Sequence, residues 1–440
     1  MIGKEPLLYK NKVVSALLAV LLVLSMAIIS CTSTEDFAVE ESDSEIVTLD
    51  EDEEEISEDV AESIAPDDEP GAPKKEKGDT WTVMFYQDAD DQILEEDIFT
   101  DLNEIEQVGS TDKVHLIAQI DRYQGGFAGK QNFSGAARFY LTQDDDLERV
   151  NSEILADLGE INMADGDVLV DFVTWAVKEY PADRYVLILS DHGTGWPGGW
   201  TDGDMESEPQ NVLIEGWEDM IYLNEMDEAF AKIKQKTGIE KFDIIGFDAC
   251  LMGSLEVLSM TAPYSEYAVL SQEVEPSMGW AYSAFLNKLV KNPRIDSGEL
   301  AKTIVTTYIA EDLLITDPEA RAKYVARTYE TYGTVSAASL ANEETKTVTL
   351  SAIDLSKIPA VVKALDALVT PMSKINQKVV AGSRSHAKSY ENVFGQNIPS
   401  PYIDLGNFVK LLEKNSTSPN VGQAAVNLQA AIKKAVIAEK

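Results

Sequence analysis

The 440 residues include two cysteines, Cys31 and Cys250, and three histidines, His115, His192 and His386. A thiol beside an imidazole can attack a carbonyl, because the imidazole removes the proton that keeps a thiol of pKa about 8.5 neutral at pH 7. The attack also needs backbone N–H groups that receive the developing oxyanion. Two segments hold residues of these kinds: Ser190-Asp191-His192-Gly193, and Asp248-Ala249-Cys250-Leu251-Met252-Gly253. Gly193 has no Cβ, so its backbone can approach a substrate carbonyl, and it is a candidate oxyanion donor. Plainer roles exist for each residue. A buried cysteine often serves as a small hydrophobe, and His192 could be a hydrogen-bonded group at a strand end. His115 lies in an apolar stretch where a core or pairing role is expected.

Each segment follows an apolar run, Tyr185-Val186-Leu187-Ile188-Leu189 or Phe242-Asp243-Ile244-Ile245-Gly246-Phe247. Strands this continuously apolar are buried on both faces, as in a parallel sheet. Reacting groups in open α/β sheets collect at the carboxyl ends of strands, where His192 and Cys250 could meet. Residues 81–86 predict a further strand, ending in the acidic loop Asp88-Ala89-Asp90-Asp91 before a helix over 93–108. Strands are also expected over 114–120, 137–141, 267–271 and 348–353, with helices over 165–180, 224–235 and 424–440. This alternation implies an α/β fold with a mostly parallel central sheet flanked by helices.

At the N-terminus Lys4, Lys10 and Lys12 precede an apolar run over 13–29 that closes on Ile28-Ile29-Ser30-Cys31, the layout of a signal peptide. Those last four residues resemble a bacterial lipobox, in which Cys31 becomes the diacylated first residue. A run of about 17 apolar residues also lies at the lower edge of a membrane span, but the polar stretch that follows suits cleavage better than stop-transfer. Residues 1–30 are therefore expected as a lipoprotein signal peptide and 31–78 as an acidic, disordered tether containing Asp50-Glu51-Asp52-Glu53-Glu54-Glu55. The expected location is the bacterial cell envelope, on the periplasmic face or the cell surface. Lipid on Cys31 leaves Cys250 as the free thiol. A net charge of −41 argues against a nucleic-acid partner, which needs a basic footprint.

Asp191-His192-Gly193 and Phe247-Asp248-Ala249-Cys250-Leu251-Met252 resemble the motifs of the clostripain family of cysteine peptidases, relatives of the caspase-like fold. The likeness extends to Ile161-Asn162-Met163, Ser271-Gln272-Glu273, Glu275-Pro276, Gly279-Trp280 and Tyr402-Ile403-Asp404-Leu405, covering residues 79 to 410 or so. It implies a caspase-like peptidase domain over 79–340 with a smaller C-terminal α/β region, 341–440, packed on it. It also implies an endopeptidase that acts on peptides or proteins through an acyl-enzyme. Cys250 would attack, His192 would protonate the leaving amine, and the N–H groups of Gly193 and Cys250 would hold the oxyanion. Asp248 would help bind an Arg or Lys side chain before the cut, although a strand-end hydrogen-bond acceptor is an equal reading.

Two departures stand out. Nothing basic occurs from Gly193 to Ala231, where Arg- and Lys-specific members cut themselves to mature, and Met278 stands where a second pocket acid would fall. They motivate an alternative: a lipid-anchored binding or adhesion protein that kept the fold without the activity. A thiol redox role lacks any Cys-x-x-Cys. No cofactor is required, and zinc has no paired Cys/His spacing to bind it. Calcium would suit two acidic clusters, Asp88 with Asp90 and Asp91, and Asp202 with Gly203 and Asp204, although acidic loops are usually just solvated.

Overall fold

All nine residues of β1 (Trp81–Ala89) are buried, and they divide between two cores. Trp81, Val83 and Phe85 enter one, Met84 and Tyr86 the other, following the two-residue period of a strand covered on both faces. Full burial of a large apolar side chain stabilises by roughly 1.5–3 kcal/mol, so a central strand of this kind anchors the whole sheet. The computed structural model describes residues 78–123, 133–202, 219–329, 334–394 and 399–440. The leader, Cys31 and most of the acidic tether lie outside the described residues, as do Gly203 and Asp204.

In chain order the remaining strands are β2 (Val114–Arg122), β3 (Ala136–Tyr140), β4 (Ile154–Gly159), β5 (Arg184–Ser190), β6 (Gly198–Gly199), β7 (Ile221–Tyr222), β8 (Phe242–Asp248), β9 (Ser265–Leu270), β10 (Ser351–Asp354) and β11 (Val436–Glu439). The helices are α1 (Glu95–Glu106), α2 (Gly166–Glu179), α3 (Leu223–Thr237), α4 (Leu255–Thr261), α5 (Tyr282–Lys291), α6 (Ser297–Thr307), α7 (Leu313–Thr316), α8 (Pro318–Thr328), α9 (Ala337–Glu344), α10 (Ile358–Met372), α11 (Gln377–His386), α12 (Leu405–Asn415) and α13 (Pro419–Ala435). One nine-stranded sheet runs β11-β10-β9-β8-β5-β1-β2-β3-β4. Its middle, β9 to β2, is parallel, and both flanks are antiparallel. Helices α1, α5 and α6 cover one face, and α2, α3, α10 and α13 the other.

Register matters most at the site. Ser190 pairs with Gln87 on one side and Asp248 on the other, so β5 and β8 end level with one another and β1 runs two residues further. The described residues fall in one compact unit, Lys75–Lys440, and β10 and β11 belong to the same sheet as the strands before residue 340.

Four strands lie outside expectation, the two-residue β6 and β7 and the edge strands β4 and β11. The expected helix over 424–440 stops at Ala435, and Val436–Glu439 adds to the sheet edge as β11. β10 offers unpaired backbone groups there, and Leu350 and Lys440 exchange two backbone hydrogen bonds of 2.9 and 3.0 Å. β4, an exposed edge strand, has no apolar stripe by which to read it.

Candidate active site

β5 and β8 are parallel neighbours, so the chain leaves one toward His192 and the other toward Cys250 at the same end of the sheet. The two turns touch at Gly193. A Cβ on Gly193 would lie 2.2 Å from the Cys250 carbonyl oxygen and 3.1 Å from its nitrogen, so only glycine permits this approach. β6 folds the histidine turn back on itself, with the Trp200 N–H donating to the His192 carbonyl at 3.0 Å. Leu251, at φ +66°, adopts a left-handed conformation that a branched side chain rarely takes, and its N–H donates to the Glu273 carbonyl at 3.2 Å. That sharp turn presents Cys250.

The Glu275 N–H donates to the Cys250 Sγ at 3.2 Å. Burial nevertheless pushes the thiol up to about 11, with the Glu275 N–H only partly opposing it. On the facing turn, His192 Nε2 lies 3.5 Å from Asp91 Oδ1. Burial pulls the imidazole down, but its hydrogen bond to Asp91 and the charges of Asp191 and Asp91 outweigh this and raise it. Burial likewise pushes the Asp91 carboxyl up, and the His192 interaction prevails to hold it below its usual range. The thiol is therefore held neutral at rest, and the imidazole's affinity for a proton is raised.

A buried nest of carboxyls adjoins the thiol. Asp248 accepts from the Tyr282 hydroxyl at 2.6 Å, and Tyr282 is bonded in turn to Ser190 at 3.0 Å. The Glu275 carboxyl lies beside that of Asp248, and the Trp280 indole donates to Glu275 at 3.0 Å. Gly279 separates Asp248 from Asp101 of α1: a Cβ there would lie 2.6 Å from Asp101 Oδ2 and 3.1 Å from Asp248 Oδ2. Burial raises all three acids, and for Asp101 and Glu275 the neighbouring Asp248 charge adds to it. Met278, where a second acid was expected, is buried in the core instead. Asp101 and Glu275 are the acids that accompany Asp248. Sequence reading passed over Asp101, whose one signal was the acid spacing Asp97, Asp101, Glu104 along a single helix face.

The two loops considered for calcium converge. One carboxylate oxygen from each of Asp90, Glu160 and Asp202 lies within 4.8 Å of the others. Nearby charges push in the same sense: burial, then Glu160, carries Asp121 up to about 8, and burial, then Asp191 and Asp202, carries Asp88 well above its usual value. The buried Asp88 Oδ2 and Asp121 Oδ2 accept no hydrogen bond from the described residues. Such an oxygen-rich, anionic setting fits a hard divalent ion. Asp91 is engaged elsewhere, accepting from the Ile93 and Leu94 N–H groups at 2.7 and 2.8 Å and facing His192. His115 lies on β2 against Tyr140 and Tyr180, and His386 ends α11; neither joins the site.

A helix-flanked, mostly parallel sheet whose neighbouring strands lead into a histidine and a cysteine at the same end has the architecture of the caspase-like cysteine peptidases. The model of the clostripain family matches residues 85–439. The chain belongs to the clostripain family and is a cysteine-type endopeptidase. It is 26% identical over 398 residues to clostripain from Hathewaya histolytica, covering 80% of this chain and 69% of that protein. In fold it is similar to a secreted C11 cysteine protease from Bacteroides thetaiotaomicron in complex with an irreversible peptide inhibitor, with a TM-score of 0.53, 20% identity, and coverage of 82% of this chain and 84% of that one. An inactive zymogen C11 protease from Parabacteroides distasonis is similar too, with a TM-score of 0.53, 16% identity, and coverage of 83% and 84%.

Proposed function

We propose that this protein cleaves peptide bonds after Arg or Lys, with Cys250 as nucleophile and His192 as acid and base. The observation that carries the reading is the approach of the Gly193 and Cys250 backbones where β5 and β8 end. The substrate carbonyl accepts from the N–H groups of Gly193 and Cys250. As Sγ bonds to the carbonyl carbon, its proton passes to His192, and His192 delivers it to the amine as the C–N bond breaks. Water then hydrolyses the thioester, giving a proton to His192 and restoring the thiol. Asp91 holds Nε2, which leaves the other ring nitrogen for this transfer.

Support for a cationic substrate side chain comes from the carboxyl nest. Asp248, Glu275 and Asp101 are each costly to ionise where they are, and an entering guanidinium or ammonium would offset that cost. Turnover of Arg, Lys and neutral peptide reporters by wild type, Cys250→Ala and His192→Ala tests both parts. Both variants are expected to lose about 10³-fold or more in kcat/KM. Equal turnover by all three proteins would remove the dyad, and a preference for neutral reporters would remove the Arg/Lys assignment.

Peptide hydrolysis by a thiol needs no cofactor. The same reading includes calcium held by Asp90, Glu160 and Asp202, supplying positive charge against Asp88 and Asp121.

A further inference from the structure

Eight large apolar side chains stand exposed among the described residues, and three of them lie on the loops that build the site. Ile93, 52% exposed, follows Asp91 by two residues; Trp196, 42% exposed, follows His192 by four; Val274, 38% exposed, precedes Glu275. Single exposed apolar residues are ordinary, but these three sit on the turns that carry Asp91, His192 and Glu275.

Trp196 is also braced. Its indole stacks on Phe394 with centroids 6.4 Å apart, and Phe394 stacks on Tyr402 at 6.2 Å. The Tyr402 hydroxyl donates to the Thr194 carbonyl, and its ring covers Gly195, whose φ is +79°. A Cβ on Gly195 would lie 3.1 Å from that ring and 3.1 Å from the Leu251 carbonyl oxygen. The three-ring stack is thus fastened to the turn that carries Gly193, beside the residue after Cys250. A rigid aromatic surface loses little conformational freedom on binding, which is the property of an anchoring pocket wall.

We infer that Trp196, backed by Phe394 and Tyr402, is a subsite for a large apolar or aromatic side chain of the peptide substrate. This rests on the reading that the cut occurs at Cys250. An extended peptide advances about 3.3–3.6 Å per residue, so one whose carbonyl sits at Cys250 meets the indole within a few residues of the cut. The carboxyl nest selects charge at one position, and the aromatic stack selects bulk at another.

Binding without turnover provides the test. Fluorescence anisotropy on the full-length Cys250→Ala protein would compare labelled peptides with a central Arg, in which Phe or Gly is scanned through the flanking positions. At one position Phe is expected to bind about tenfold tighter than Gly, a difference of about 1.4 kcal/mol. Adding Trp196→Ala should bring that ratio below about twofold, and Trp196→Phe should keep most of it. Leu155→Ala, which removes an exposed apolar side chain from β4 at the far edge of the sheet, serves as the control and should leave the ratio intact. Absence of any Phe preference, or a preference that survives Trp196→Ala, would overturn the inference. Wild-type turnover that is independent of Cys250 would instead overturn the nucleophile assignment, so the two failures are separable.

Discussion

Asp91 does two jobs with one oxygen. Its Oδ1 accepts from Ile93 and Leu94 in the turn that leads into α1, and the same atom faces His192 Nε2. Asp91→Asn keeps an acceptor for the helix and removes the charge felt by the imidazole. The raised His192 pKa favours the imidazolium, so any stability tied to that charge is present at low pH and lost as pH rises through the folded value. In the variant the midpoint should fall, read by NMR titration of the ring protons. With three histidines in the chain, assignment is direct. An unchanged midpoint would show that Asp91 does not set the state of His192. In the sequence Asp91 was one acid of an acidic loop, because its partner arrives from another strand.

At the scale of an element, α1 carries an unusual burden for a helix packed on a sheet. Asp97, Asp101 and Glu104 are all buried along it. Burial carries Asp97 up to about 6 against the opposing charge of Arg327, and carries Glu104 up to about 7 although the Ser283, Leu313 and Tyr282 N–H groups oppose it. A carboxyl with a folded pKa above its unfolded value binds more protons when folded. Its stabilisation is present below about pH 4 and is lost as pH rises through the folded pKa. Unfolding by urea at pH 5 and pH 8 should therefore show lower stability at pH 8. Glu104→Gln keeps one acceptor oxygen and turns an amide nitrogen toward the other N–H, lowering stability at both pH values, but it should shrink the difference between them by roughly 2 kcal/mol. The same difference in both proteins would contradict the assignment. Apolar spacing identified this helix, but its acidic face has meaning only against α5 and α7.

Across the whole molecule, the sheet is what draws distant acids and aromatics into contact. Asp90 follows β1, Glu160 follows β4, and Asp202 follows the β6 hairpin, so an ion bound there would tie three parts of the fold together. Saturating calcium added to chelator-treated protein is expected to raise Tm by about 3–4 °C, since ligand at 100 times Kd contributes about 2.7 kcal/mol and the melting entropy of a unit this long is large. Asp202→Asn should abolish the shift, and a wild-type Tm indifferent to calcium would remove the cation from the proposal. The sequence by itself determined the parallel α/β class and both strand-end motifs, because strands buried on two faces must be apolar throughout and must end in turns that show their chemistry. Tertiary structure alone decided that β4 and β11 are edge strands, since pairing depends on a neighbour's free edge rather than on local pattern. It also decided that Asp101 and Glu275 accompany Asp248, and that Tyr402 braces Trp196. These groups come from segments far apart in the chain, and only the packing of helices and loops on the sheet sets the distances between them.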